Sequence, residues 1–247
     1  MSLWSVVRAD VTTPDERREG ELTQWWGREH QPEYLAFPGF NLAWLLKTLP
    51  RASTFGDPGQ KYTAVYDIDT IGHFHDALEA GPPWGQWEAD IGTWIVGWTR
   101  TYRRTLTHQV ADDGDGAYWV IVKSDLSLAD VDEEDALRRW YDEKHIPEFL
   151  AEPGFHRAWR LEVEPSDRDL GPRGHRFWAV YEVDSPEDFD QARQRRTDRG
   201  IEPWDGLWSN HLSDWGISYH EIINRLPRGA LTAPIAANED GGEHAAS

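Results

Sequence analysis

The sequence predicts an α+β protein built from two copies of one β-α-β-β-α-β unit. The first observation is an internal repeat, in which residues 25–40 return as residues 140–155 with the same His-x-Pro-Glu core and the same closing Pro-Gly-Phe. The offset is 115 positions, from His30 to His145. The second observation is that strand-like and helix-like segments follow in the same order in each copy. A self-match at fixed spacing indicates a repeated structural unit.

The first strand and the first helix open each copy. Short apolar runs at 4–9 and 118–123 have the composition of buried strands. In the first copy Thr13 precedes Pro14 and two acidic residues, which predicts a helix N-cap at Thr13 with proline in the first turn. In the second copy an acidic segment, residues 130–135, takes the same place.

The first helix carries aromatic residues at helical spacing up to the repeated histidine. We expect it to end near His30 and near His145, because Pro32 and Pro147 follow and a proline cannot donate the next backbone hydrogen bond. Pro-Glu-Tyr-Leu and Pro-Glu-Phe-Leu then predict one short helical turn, which Pro-Gly ends at 38–39 and 153–154.

The remaining elements also occur in pairs. A second strand, a third strand, a second helix and a last strand complete each copy. Ser185 before Pro186 indicates the N-cap of the second helix, and Thr70 marks the corresponding start in the first copy. The strands are predicted at 40–49 and 155–163, at 61–69 and 176–184, and at 94–105 and 215–223. This is the ferredoxin-like order, present twice.

The domain boundaries follow from composition. We predict a first ferredoxin-like module at 1–109 and a second at 117–226, joined by a linker at 110–116 that is acidic and rich in glycine. Residues 227–247 are small and polar, which is typical of a disordered tail.

Composition also excludes several functions. The net charge of −19, from 44 acidic and 25 basic side chains, opposes binding to nucleic acid or to an anionic membrane surface. Cysteine is absent, which excludes disulfides and thiolate chemistry. The sequence has no signal-peptide pattern and no run of about 18 apolar residues. We therefore expect a cytoplasmic protein that contacts neither nucleic acid nor membrane.

The sequence predicts no metal and no nucleotide cofactor. His73 and His75 are two residues apart in a predicted helix and so do not face each other. His108, His211 and His220 lack carboxylates at ligand spacing. Glycine-rich phosphate-binding loops are also absent.

The repeated motif and the order of elements resemble the dimeric α+β barrel superfamily, and within it the EthD-like group, over residues 3–106 and 117–224. The matching residues are His30, His145, Pro32, Pro147, Gly39 and Gly154. The resemblance implies that two modules pack sheet against sheet, here within one chain as a tandem duplication. It implies one of two oligomeric states: a monomer in which the two modules form a pseudo-dimer, or a homodimer of such chains.

That superfamily includes muconolactone isomerase, polyketide cyclases, cofactor-free monooxygenases, EthD-like dehydratases and decarboxylases, and haem enzymes. A shared fold therefore does not fix the activity.

Three pairs of residues are candidates for catalysis. His30 and His145 follow an aromatic residue by one helical turn and suit a general base near neutral pH. Glu33 and Glu148 could orient these rings. Alternatively, the histidines cap a helix end and the glutamates open the next turn, which is a structural role. Tyr66 and Tyr181, at equal positions of the third strand, either donate to an enolate oxygen or belong to the core.

Eight further residues are candidates for substrate binding. Aromatic residues make up 13 % of the chain and 15 residues are Trp, so some aromatic rings are expected to line a ligand pocket. The aromatic candidates are Trp26, Tyr141, Trp44, Trp159, Trp84 and Trp204. The alternative role for these rings is packing in the core. Arg8 and Lys123 share a register on the first strand, where a substrate carboxylate or a protein group must pair with them.

These patterns favour a cofactor-independent enzyme that moves protons on a hydrophobic aromatic or polyketide-like carbonyl compound, as a cyclase, dehydratase, isomerase or decarboxylase. The alternatives are a cofactor-free monooxygenase, a haem-binding protein and a non-catalytic ligand-binding protein. The copies differ at His75 and Asp190, among other pairs, which suggests one active half.

Overall fold

The computed structural model describes residues 2–13, 15–81, 92–127, 131–201 and 208–229. These residues form eight strands and six α-helices. The strands are β1 Leu3–Val11, β2 Phe40–Leu49, β3 Tyr62–Ile68, β4 Ile95–Val110, β5 Tyr118–Leu126, β6 Phe155–Val163, β7 Phe177–Val183 and β8 Leu212–Pro227. The helices are α1 Glu16–Trp25, α2 Gln31–Leu35, α3 Ile71–Ala80, α4 Val131–Trp140, α5 Ile146–Leu150 and α6 Pro186–Asp198.

The eight strands close into one antiparallel barrel in the order β1-β3-β2-β8-β5-β7-β6-β4. Strands β1 to β4 belong to module 1 and strands β5 to β8 to module 2. The two sheets join along two seams, where β2 pairs with β8 and β4 pairs with β6. This confirms the predicted fold, two ferredoxin-like modules that form an α+β barrel within one chain.

Alternation along each strand separates the barrel interior from the face that the helices cover. On β1, Trp4 and Val6 belong to the interior cluster, whereas Val7 and Ala9 pack beneath the helices of module 1. Trp4, Trp44, Trp119 and Trp159 form the centre of the interior, with ring centroids between 5.1 and 6.3 Å apart.

The two last strands are longer than the sequence analysis predicts, because each serves both modules. β4 runs on to Val110, and its residues from Arg103 onward pair with β6 of module 2. β8 runs on to Pro227, and its residues from Tyr219 onward pair with β2 of module 1. The predicted tail begins at the end of β8, and residues 230–247 lie outside the described part of the chain.

The first helix does not end at the histidine, which corrects the sequence analysis. A π-helical turn connects α1 to α2 at Trp26–His30, and another connects α4 to α5 at Tyr141–His145. The Gln31 N–H donates to the Trp26 carbonyl five residues earlier, as the Ile146 N–H does to Tyr141. A proline ring in a regular α-helix clashes with the carbonyl four residues before it. We attribute the wider turn to the proline that follows each histidine.

Two of the three named helix caps are confirmed. Thr70 and Ser185 have extended backbones, and their side chains accept hydrogen bonds from the His73 and Asp188 N–H groups. The cap predicted at Thr13 is wrong. Asp15 caps α1 by accepting from the Arg18 N–H at 2.8 Å, a bond that a carboxylate one residue before the helix can reach.

Glycine is required after each short helix. Gly39 and Gly154 have φ of 83° and 81°, and a Cβ there would approach His73 and Asp188 to 2.1 and 2.7 Å. The Pro-Gly turns therefore bring the start of β2 and β6 close to α3 and α6. Among the described residues, no helix has the length and apolar character needed to cross a membrane.

Candidate functional site

Each module encloses a cavity between its sheet and its helices. The module 1 cavity measures about 230 Å³ and the module 2 cavity about 270 Å³. Equivalent side chains line both: His30, Trp26, Tyr34, Tyr66 and Phe74 in module 1, and His145, Tyr141, Phe149, Tyr181 and Phe189 in module 2. The repeated histidine and the strand tyrosine thus line one cavity in each module.

His145 is half-buried at the end of the second π-helical turn, among three aromatic rings. Its ring centroid lies 4.3 Å from Trp140, 5.1 Å from Tyr141 and 5.1 Å from Phe149. The Tyr141 and Phe149 rings meet it edge to face, at 78° and 65°. The wide turn sets the position of this imidazole, and such turns are frequent at functional sites.

His30 has the same surroundings but is more deeply buried. Its ring lies 4.8 Å from Trp25 and 5.0 Å from Tyr34, and its exposed fraction is 5 %. Burial disfavours the charged imidazolium and lowers the pKa of His30 to about 3. At neutral pH this ring is therefore uncharged and too weak a base to hold a proton.

Tyr66 and Tyr181 line the two cavities from β3 and β7. Burial raises the pKa of both phenols, so both remain protonated at neutral pH. In the parts of the chain described here, the buried Tyr181 hydroxyl has no hydrogen-bond partner. The Tyr181 hydroxyl is therefore a hydrogen-bond donor without an acceptor. Burying such a donor lowers the stability of the folded protein.

The two glutamates lie in different surroundings. Glu148 forms an ion pair with Arg196 of α6. Glu33 is half-buried, and burial together with the neighbouring Glu29 carboxylate raises the pKa of Glu33. No hydrogen bond joins Glu33 to His30, or Glu148 to His145, among the described contacts. The structure does not place either carboxylate where it could orient the ring.

A polar pair links the second helix to the last strand of each module. In module 1 the His75 Nε2 lies 2.9 Å from the Tyr102 hydroxyl. In module 2 the Tyr219 hydroxyl donates to Asp190 at 2.6 Å, which raises the pKa of Tyr219 together with burial. The divergence of His75 and Asp190 thus changes a neutral pair into a charged one.

The remaining predicted residues lie elsewhere. Trp44 and Trp159 face the barrel interior, where they line a separate cavity of about 290 Å³. Arg8 and Lys123 also point inside the barrel and bond to backbone carbonyls, which agrees with a protein partner rather than a substrate carboxylate. Trp84 and Trp204 lie outside the described residues.

Comparisons with known proteins identify solved structures that share this fold. No protein-family model and no curated protein matches the chain. Solved structures do. The structure of an anthrone oxidase-like protein has a TM-score of 0.63 at 11 % identity, with 95 % of this chain and 96 % of the other covered.

Two further structures illustrate the range of similar proteins. A candidate monooxygenase from Fusobacterium nucleatum subsp. nucleatum gives 0.61 at 10 % identity, with 92 % and 95 % of the two chains covered. A chlorite dismutase variant from Candidatus Nitrospira defluvii gives a TM-score of 0.51 at 11 % identity, with 89 % and 91 % covered. At these identities the likeness shows the fold.

Sequence reasoning missed part of the module 2 cavity. Arg193, Gln194 and Arg196 line it from α6, and Trp215 lines it from β8. The signal present in the sequence was the spacing of Arg193 and Arg196, three residues apart on a predicted helix and so on one face. That spacing does not say which face of the helix covers the sheet.

One group of side chains has the composition of a cation site. Ligand atoms of Asp125, His175 and Asp214 lie within 4.8 Å of one another. The His175 Nε2 lies 3.2 Å from Asp214, and Asp125 already accepts from the Arg176 backbone N–H. No local sequence pattern indicates this group, because its members come from three strands or strand ends. None of the three lines either helix–sheet cavity.

Proposed function

We propose that the module 2 cavity is the active site of a cofactor-independent enzyme. It removes a proton from an enolisable aromatic carbonyl compound, and molecular oxygen then oxidises the anion. The observation that carries the proposal is the pairing of a half-buried His145 with an unpartnered Tyr181 hydroxyl in one aromatic-walled cavity. The combination supplies a base and a hydrogen-bond donor for a developing enolate.

The proposed reaction balances without a further reactant. His145 takes a proton from a methylene carbon conjugated with the carbonyl, and Tyr181 donates to the enolate oxygen. The enolate gives one electron to O₂, the resulting radical pair forms a C–O bond, and the protonated His145 returns its proton to the peroxide anion to give a hydroperoxide. His145 then removes the second methylene proton, the O–O bond breaks to leave a new carbonyl, and the departing hydroxide takes that proton to form water. One oxygen atom enters the product, and the other leaves as water with the two methylene hydrogens.

Oxidation is preferred among the reactions that begin with this proton transfer. Cyclisation, dehydration, isomerisation and decarboxylation use the same first step. Two structural neighbours are described as anthrone oxidase-like and as a candidate monooxygenase, and anthrone has an acidic methylene that is conjugated with its carbonyl through the fused aromatic rings. These names support oxidation of a phenolic or anthrone-like substrate.

Module 1 serves as the matched, less active half in this proposal. The pKa of His30 is lowered to about 3 by burial, so the ring accepts a proton poorly at neutral pH. The two modules therefore present equivalent residues around histidines that differ in burial.

Haem fits the cavities poorly. A chlorite dismutase shares the fold, and a histidine lines each cavity. Cavities for drug-sized ligands span roughly 300–1,000 Å³, and both helix–sheet cavities fall below that range, at about 270 and 230 Å³. A haem with two propionates exceeds this space, so no step is assigned to one.

Oxygen uptake with anthrone tests the proposal. We expect the protein to consume O₂ and anthrone in equal amounts and to form anthraquinone above the rate of buffer alone. His145→Gln should lower the rate about 10²-fold or more, and Tyr181→Phe about tenfold or more. His30→Gln and Tyr66→Phe, at the equivalent positions of module 1, are the matched controls and should retain most of the rate.

Other outcomes are equally informative. Anthrone turnover without O₂ uptake would reject oxidation and leave proton transfer in place. Equal losses in His30→Gln and His145→Gln would reject the choice of module 2. A Soret band in the purified protein would replace the proposal with haem chemistry.

A further inference from the structure

The two helix–sheet cavities differ along one wall, which the second helix of each module forms. Phe74 and Phe189 occupy equivalent positions on this wall, 115 residues apart. One turn later module 1 has Leu78 and module 2 has Arg193, and both residues line their cavities. At this position an apolar side chain in one cavity corresponds to a guanidinium in the other. The module 1 cavity has its guanidinium on a different wall, where Arg100 of β4 donates to the Arg168 carbonyl at 3.2 Å.

The neighbouring charges of the module 2 cavity are already matched. Arg196 forms an ion pair with Glu148. The Asp190 carboxylate accepts hydrogen bonds from the Tyr219 hydroxyl at 2.6 Å and from the Ser53 hydroxyl at 3.0 Å. The Arg51 guanidinium, at 3.3 Å, balances its charge.

Arg193 differs from these groups. Its side chain is half-buried, and within the described ranges it takes part in no ion pair. Its charge acts on the neighbouring Tyr219, whose pKa it lowers against the larger effect of burial. One positive charge therefore remains available at this wall.

The other walls are apolar and flat. Tyr141, Phe149 and Phe189 contribute aromatic rings, and Trp215 and Ile217 contribute the β8 side. Aromatic walls favour planar ligands, and a guanidinium binds a carboxylate through two parallel hydrogen bonds. A planar aromatic ligand with a carboxylate at one end satisfies both features at once.

We infer that the module 2 cavity selects planar aromatic carboxylates and that Arg193 is the residue that determines this selectivity. The inference rests on the proposed function only in treating the module 2 cavity as the substrate site.

Calorimetric titration with 2-naphthoate and 2-naphthamide tests the inference, because the two probes share shape and differ in charge. The full-length protein should bind 2-naphthoate roughly 10- to 100-fold more tightly than 2-naphthamide. Arg193→Leu, which introduces the residue of module 1, should remove that preference and leave 2-naphthamide binding unchanged. Arg193→Lys should retain part of it, and added salt should weaken it.

Leu78→Arg is the reciprocal variant and should strengthen 2-naphthoate binding by the module 1 cavity. Equal affinities for the two probes in the native protein, no detectable 2-naphthoate binding, or a preference that survives Arg193→Leu would overturn the inference. Turnover is not part of this readout. Selective 2-naphthoate binding without anthrone oxidation would reject the proposed function alone, and the reverse result would reject the inference alone.

Discussion

Arg8 and Lys123 occupy equivalent positions on β1 and β5 and bind reciprocal partners. The Lys123 ammonium donates to the Asp57 and Pro58 carbonyls at 3.1 and 3.3 Å, and Arg8 donates to the Pro172 carbonyl at 3.4 Å. Each cation of one module thus holds the β2–β3 or β6–β7 loop of the other. The two side chains are the basic residues that the sequence analysis assigned to a ligand or a protein partner.

Lys123 predicts a rise in stability at alkaline pH. Its exposed fraction is 5 %, and burial lowers its pKa from 10.5 to about 8. Between these values the unfolded chain holds a proton that the folded protein releases, so the free energy of unfolding increases with pH. Burial of the charged Lys123 ammonium lowers the free energy of unfolding. This loss is complete below pH 8, disappears above about pH 10.5 and amounts to at most about 3 kcal/mol.

Urea denaturation of Lys123→Met from pH 7 to pH 10 measures this effect. We expect the variant to be more stable than the native protein at pH 7, by less than the upper bound because two hydrogen bonds are lost. The difference should shrink steadily above pH 8. Arg8→Met is the control, since its guanidinium stays charged throughout. A pH-independent difference for Lys123→Met would contradict the assignment.

At the residue scale the sequence could identify the repeated site residues but not their partners. Equal spacing marked His145 and Tyr181 as candidates, and the structure places both against one cavity. The ion pair of Glu148 with Arg196 joins positions 48 residues apart, so no local pattern announces it. Burial separates His30 from His145, and burial depends on the packed helices rather than on the motif that the two copies share.

The helix caps provide a prediction at the scale of single elements. Ser185 and Thr70 occupy equivalent positions and accept from backbone N–H groups at 3.3 and 3.2 Å. Ser185→Ala and Thr70→Ala should each reduce the free energy of unfolding by about 1 kcal/mol. Ser185→Thr and Thr70→Ser keep the acceptor and should stay within about 0.5 kcal/mol of the native protein. Denaturant midpoints check both pairs, and unchanged midpoints in the alanine variants would contradict the assigned caps.

At the same scale, element order was predictable and helix geometry was not. Strand and helix types follow from period and composition, and the caps at Thr70 and Ser185 follow from local hydrogen bonding. The π-helical turns were missed because each contains only five residues. A segment this short does not reveal its hydrophobic period. The full length of β4 and β8 was missed because half of each strand pairs with the other module.

At the scale of the whole molecule, the modules are joined by more than the two seams. Phe55 of module 1 pairs through both backbone groups with Ile217 of β8, at 3.1 and 2.9 Å. Leu170 of module 2 pairs in the same way with Arg100 of β4, at 2.8 Å in both directions. Each loop thus extends the other module's sheet, and Leu170 of module 2 also lines the module 1 cavity.

This shared construction predicts that the two modules unfold together. Val65 and Val180 are equivalent interior residues, exposed by 1 % and 0 %. Val65→Ala and Val180→Ala should each lower the free energy of unfolding by about 2 kcal/mol. Because the barrel core contains side chains from both sheets, either variant should shift one transition seen alike by tryptophan fluorescence and by circular dichroism. If the modules unfolded independently, Val180→Ala would leave half of the signal at the native midpoint, and a biphasic curve would appear.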